Sequence, residues 1–100
     1  MGYDVHVTRK EFWADEEGSE ITLDEWLAYV RNDTEIEADT ENPSLENYVF
    51  ISRLDKWPIW WSEDGRIYTK NPNELVTKKL LEIANTLNAQ VQGDDGEVYD

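Results

Sequence analysis

The stretch Trp57-Pro58-Ile59-Trp60-Trp61-Ser62-Glu63-Asp64-Gly65-Arg66-Ile67-Tyr68-Thr69-Lys70 constrains the fold of this chain more than any other. Two aromatic-rich, β-prone runs meet at Asp64-Gly65, a strong short hairpin signal because a type I′ turn needs positive φ at both central residues. With those two residues as the loop, Glu63 faces Arg66, Ser62 faces Ile67, Trp61 faces Tyr68 and Trp60 faces Thr69. The opposite charges beside the turn and the Trp61–Tyr68 pair each favour this register, by roughly 0.2–1 kcal/mol. Alternation then sets Ile59, Trp61 and Tyr68 on one face and Trp60 and Ile67 on the other. One face closes a core; the other must meet a helix, a partner or water.

The segments on either side supply the rest of the domain. Tyr3 to Thr8 alternates apolar and polar, a half-buried strand with Tyr3, Val5 and Val7 inward and His6 on the polar face. That places the only histidine in solvent. Residues 10–20 read as a polar loop whose Phe12 and Trp13 plug the core. Thr22 and Glu25 form a capping box, and Ile21 and Trp26 a hydrophobic staple. They open a helix over 23–32 with Leu23, Trp26, Leu27 and Val30 in one stripe. Tyr48 to Leu54 is β-prone on both faces, as a central strand should be. Asp55-Lys56 turns the chain, and Pro58, which has no N–H for a ladder, marks a strand start or an edge.

Asn71 is the expected N-cap of a second helix over 72–87, with Pro72 at its first position and Glu74 at N3. Val76, Leu80, Ile83 and Leu87 make its stripe. A short hairpin closes the chain, with Asp94-Asp95 as the loop and Val91 opposite Val98. The element order β-α-β-β-β-α-β-β predicts one α+β domain over residues 1–100, a mostly antiparallel sheet in two layers with two amphipathic helices.

Charge is where function first shows. The net charge is -14 and the mean hydropathy -0.75. Residues 11–48 carry thirteen acids and one base, Arg31, whereas residues 49–90 carry five acids and six bases. Such a surface argues against nucleic acid or anionic membrane, which need Lys and Arg to neutralise phosphate. It suits a basic protein partner, a cation or plain solubility. No apolar run approaches a membrane span and no signal-peptide pattern opens the chain, so a cytoplasmic location is expected.

Catalysis finds little support. There is no cysteine, no G-x-S-x-G and no glycine-rich phosphate loop, and no pair of carboxylates is singled out from the many present. The acids of the two Asp-rich turns lack the spacing of a calcium loop. Neither an enzyme nor a resident cofactor or metal is expected, which leaves binding.

Two binding readings follow. In the first, Asp33, Glu35, Glu37, Asp39 and Glu41 form an acidic arm that covers a basic surface, such as that of a nuclease-like toxin, with Trp60 as an aromatic anchor. The plainer account of that arm is a solvated loop. In the second, Trp57, Trp60 or Trp61 stacks on a sugar or other flat ligand. Tyr3-Asp4-Val5-His6-Val7-Thr8-Arg9, Asp24-Glu25-Trp26-Leu27-Ala28-Tyr29, Ile67-Tyr68-Thr69-Lys70-Asn71-Pro72 and Gly93-Asp94-Asp95-Gly96-Glu97-Val98-Tyr99 resemble segments of short acidic bacterial proteins of unassigned function. The resemblance implies a compact bacterial domain of the toxin-immunity type and brings no functional residues with it.

Overall fold

A computed structural model describes residues 3–52 and 55–100. The central hairpin forms between β4 (Asp55–Ser62) and β5 (Arg66–Lys70), with a turn one residue longer than Asp64-Gly65 alone. The Gly65 N–H donates to the Ser62 carbonyl at 2.9 Å, and Gly65 alone in the turn has positive φ, +84°. That is a type I turn followed by a glycine bulge. Trp61 therefore lies opposite Ile67 and Trp60 opposite Tyr68. A one-residue shift exchanges the faces of a strand, so Ile67, not Tyr68, shares the inner face with Ile59 and Trp61. Trp61 is half-buried against the core, its indole N–H donating to the Ile21 carbonyl at 2.8 Å.

The last hairpin repeats this correction. β6 (Gln90–Gly93) and β7 (Val98–Tyr99) pair Val91 with Tyr99 and Gln92 with Val98. Gly96, at φ +84°, donates its N–H to the Gly93 carbonyl. In both hairpins an acid and an aspartate precede the glycine, and the glycine alone takes the left-handed conformation.

Among the described residues seven strands form one sheet in the order β2-β3-β4-β5-β1-β6-β7, every neighbouring pair antiparallel. β1 (Asp4–Thr8) lies between β5 and β6, so the start of the chain completes a sheet whose other strands come much later. β2 (Ile36–Ala38) is a strand within the acidic segment, where acids alternate with Ile36 and Ala38 although the plainer account is a solvated loop, and it pairs with β3 (Asn47–Ser52). The last two residues of the strand expected over 48–54 lie outside the described residues. Asp55 and Lys56 are the first residues of β4, not a turn, and pair with Ser52 and Ile51.

Pro58 sits inside β4, opposite Val49. The Trp61 N–H points to β3, donating to the Glu46 carbonyl, so alternation aims position 58 at β5. The β4–β5 ladder runs only from Trp60 to Ser62, so the missing N–H falls where that ladder has stopped. The Thr69 hydroxyl donates to the Pro58 carbonyl there at 2.7 Å.

Both helices cover the same sheet face. Trp26 and Val30 of α1 (Leu23–Arg31) and Val76, Leu80, Ile83 and Ala84 of α2 (Glu74–Thr86) join Val5, Val7, Ile59, Ile67 and Val91 in one core. The capping box at α1 is present as its sequence implies: Thr22 accepts from the Glu25 N–H, and Glu25 accepts from the Thr22 N–H. α2 starts two residues later than Asn71 implies. Asn73 is its N-cap, accepting from the Val76 N–H at 2.9 Å. Asn71 instead takes φ +47° and accepts from the Tyr3 N–H, tying β1 to the end of β5.

Two ion-pair clusters fasten the helices, one half-exposed at Arg9 and one centred on buried Lys79. Arg9 makes a bidentate bond to Glu25 (2.8 and 2.6 Å) while also donating to the carbonyl of Leu87, the C-cap of α2. The Arg9 bond and the Thr22 N–H together hold the Glu25 carboxyl down at about 2. Lys79, 4 % exposed, lies 2.7 Å from Asp33 and 2.7 Å from Glu35. Burial alone would push the Lys79 ammonium down, but its bonds to the two carboxylates outweigh it and hold the pKa above its ordinary value.

Candidate functional site

The acidic segment is built into the fold to a degree that its composition hides. Burial would raise the Asp33 carboxyl, yet the bonds from Lys79, the Tyr29 hydroxyl and the Glu35 N–H together lower it. Glu35 is exposed but held by Lys79. Asp39 is buried, and its Oδ1 accepts from the N–H groups of Glu41 and Asn42 at 3.0 and 3.1 Å. These three carboxylates serve the structure. Glu37 and Glu41 are the exposed members of the set that no ion pair among the described residues holds. By the register Glu37–Val49–Pro58, Glu37 is on the sheet face opposite the helices.

That outer face also decides the three tryptophans. Trp57 and Trp61 pack on the helix side, so neither offers a free ring face there. Trp60 lies on the outer face, half-buried, with its ring 5.2 Å from that of Tyr68. Asn47, opposite Trp60, donates to the Asn42 carbonyl. The 39–46 loop therefore borders the aromatic pair on one side.

On the other side the outer face is covered, and His6 shows how. His6 is fully buried, contrary to the exposed position that strand alternation implies. The loop 9–20 returns across β1 and lays Trp13 flat on the imidazole, 3.8 Å between centroids and 8° between planes. Trp13 is thus a cover for the outer face and not a plug for the core, while Phe12 is exposed beside Gly96. The cover is fixed to β6 and its turn: the Trp13 N–H donates to Gln92, its indole N–H to the Asp94 carbonyl, and Gln92 donates to the Glu11 carbonyl.

The imidazole is bonded at both nitrogens. Nε2 is 2.8 Å from Asp94 Oδ1 and Nδ1 is 2.9 Å from Arg66 Nη1. A guanidinium only donates, so Nδ1 accepts, the proton sits on Nε2, and the ring is neutral. Burial pushes the His6 pKa down, against the bond to Asp94, which raises it. Arg66 lies between aromatic faces, 4.5 Å from the Tyr68 centroid and 5.2 Å from that of Trp13, and its Nε donates to Asp64 at 2.9 Å. Such cation–π contacts contribute about 0.5–2 kcal/mol each.

A His–Asp pair invites a catalytic reading, but the second ring nitrogen is taken by Arg66 and the ring is closed to solvent. Among the described residues no group of three or more ligating side chains is placed to hold a metal ion, and no helix is long and apolar enough to cross a membrane. A groove of about 480 Å³ between α1 and the end of α2 includes Glu25, Tyr29, Asp33 and Leu87. Its two carboxylates are already committed to Arg9 and Lys79.

The polar–aromatic strip Trp60–Tyr68–Arg66–His6–Trp13 is the part of the site that sequence pattern left unassembled. The contacts were out of reach because the turn length flips Tyr68 and a loop returns over His6. Lys79 had a readable signal, since it falls on the apolar stripe between Val76 and Ile83. No protein-family model matches this chain, and no curated protein or solved structure shows significant similarity to it.

Proposed function

We propose that this protein binds a basic protein partner on the outer sheet face, with Trp60 and Tyr68 as the central anchor and exposed carboxylates, Glu37 and Glu41 foremost, as the steering rim. One observation carries the reading. Arg9, Lys10, Arg66 and Lys79 are spent on bonds inside the protein, whereas Glu11, Asp15, Glu16, Glu17, Glu20, Glu37, Glu41 and Glu63 stand exposed. Among the described residues exposed acids therefore far outnumber the exposed bases Arg31, Lys56, Lys70 and Lys78, of which Lys56 and Lys70 share the outer face with Glu37. An aromatic pair framed by charge has the composition of an interface hot spot, and opposite charge accelerates encounter. A small inhibitor of the immunity type, acting in the cytoplasm on the basic surface of a toxin such as a nuclease, fits this chemistry without any catalytic role.

The test is capture of partners from the source organism, followed by association kinetics at low and high salt. Glu37→Gln with Glu41→Gln should slow association, and Trp60→Ala should speed dissociation. Recovery of no basic partner, or association indifferent to salt and to the carboxylate pair, would reject the reading. The half-buried Trp60–Tyr68 pair would then favour stacking on a glycan or other flat ligand, whose binding should respond weakly to salt.

A further inference from the structure

His6 has one partner that can leave. Asp94 is held in place by the Asp4 N–H at 2.9 Å and belongs to the tight β6–β7 turn. Trp13 is anchored through Gln92 and the Asp94 carbonyl. Arg66 alone has a second destination, because Asp64 at the surface already accepts from its Nε. We propose that His6 is a proton-sensitive latch on the outer face: neutral, it holds Arg66 over the Tyr68 ring, and protonated, it releases Arg66 toward Asp64 and solvent.

The geometry gives the mechanism. A proton added at Nδ1 would confront the Arg66 Nη1–H donor across 2.9 Å, two donors and two positive charges face to face. The groups that face the ring from each packed element are Asp4 on β1, Arg66 and Tyr68 on β5, Gln92 on β6, Asp94 in the β6–β7 turn and Trp13 in the cover. Asp94 and Asp4 favour the proton, while Arg66 and burial oppose it. Trp13 stays stacked, since an indole face also accepts an imidazolium. Because burial keeps the ring below its ordinary value of 6.5, the latch is closed at neutral pH and opens in acid. Arg66 departs from the face of Tyr68, whose ring also neighbours Trp60. The consequence for binding rests on the outer face being the docking surface; the latch itself does not.

The protein alone suffices for the test, since His6 is its single histidine. A pH titration by NMR should show the His6 ring, the Arg66 side chain and the Tyr68 and Trp60 rings moving together, with one midpoint below 6.5. Arg66→Met should raise the His6 midpoint by roughly one pH unit, by removing the neighbouring cation. His6→Phe should leave the Arg66 and Tyr68 signals flat over the same range. The latch is refuted if His6 titrates while Arg66 and Tyr68 stay still, if the midpoint is unchanged in Arg66→Met, or if His6 stays neutral until the fold is lost in acid. Because no partner is present, a failed capture experiment and a failed latch are separate results.

Discussion

The two glycine turns allow a controlled experiment on the cover. Gly65 and Gly96 share φ +84° and the same position in the same kind of turn. Replacing either with Ala brings the same left-handed penalty, roughly 1–2 kcal/mol, partly offset by about 0.4–1 kcal/mol from the stiffer unfolded chain. Their surroundings differ. A Cβ on Gly65 would lie 2.3 Å from Glu20 Cβ and 2.9 Å from Glu20 Cα, so the backbone that closes the loop 9–20 must retreat. That retreat strains the bond from the Ile21 N–H to the Gly65 carbonyl and the Trp61–Ile21 bond beside it. A Cβ on Gly96 meets two Phe12 ring carbons at 3.0 Å, and that side chain is exposed and free to swing. Gly96→Ala should therefore cost about 1 kcal/mol, and Gly65→Ala about 3 kcal/mol, the excess being backbone displacement plus loss of about one hydrogen bond. Urea melts of both variants followed by tryptophan fluorescence would measure the difference. Equal costs would refute the packing of Glu20 beneath the turn, and with it the path assigned to the cover.

Three further outcomes follow from the same contacts. Lys79→Met should destabilise by about 2–4 kcal/mol, short of the full loss for a buried pair because Tyr29 and the Glu35 N–H still bond Asp33; adding Asp33→Asn should recover part of it in a double-mutant cycle. Thr22→Ala and Asn73→Ala should each cost about 0.5–2 kcal/mol in denaturant melts, and a neutral Asn73→Ala would show that α2 begins elsewhere. The folded pKa of His6 is depressed below 6.5, so its contribution is present above 6.5 and is lost as pH falls through the folded value; Glu25, lowered from 4.5 to about 2, loses its contribution only below 4.5. The melting temperature should thus decline in two stages on acidification, and His6→Phe should flatten the upper stage alone.

Apolar periodicity was enough to place β1, both helix stripes and the capping box, because those signals are local and each had one physical solution. Turn length was not local in that sense. An Asp-Gly pair fits a two-residue type I′ loop or the last two places of a three-residue loop, and only the flanking strands' packing decides. In both hairpins the longer loop won, which put Tyr68 on the outer face and Tyr99 opposite Val91. The acidic segment misled through composition: Asp33, Glu35 and Asp39 look solvated by sequence, but a buried lysine from α2 and a tight turn claim them. Arg9 and Lys79 are single residues whose partners lie far along the chain, and no window of sequence contains such pairs.

The one-sided architecture itself decides where binding has room. A sheet with both helices on one face leaves the other face to water or to loops, and the apolar share of that face must still be covered. Here the loop 9–20 shields β1 and β6 through Trp13, and the 39–46 loop borders the recess that holds Val49 and Pro58. Between them remain Trp60 and Tyr68, too large and apolar to be ordinary solvated residues of an open strand. The sheet edges are poor alternatives. β2 has three residues and carries exposed Glu37, and β7 has two and is flanked by Glu97 and Asp100, the short, charged form that discourages strand addition. A partner that recognised an edge would be indifferent to Trp60, so the dissociation rate of Trp60→Ala separates face binding from edge binding before any complex is solved.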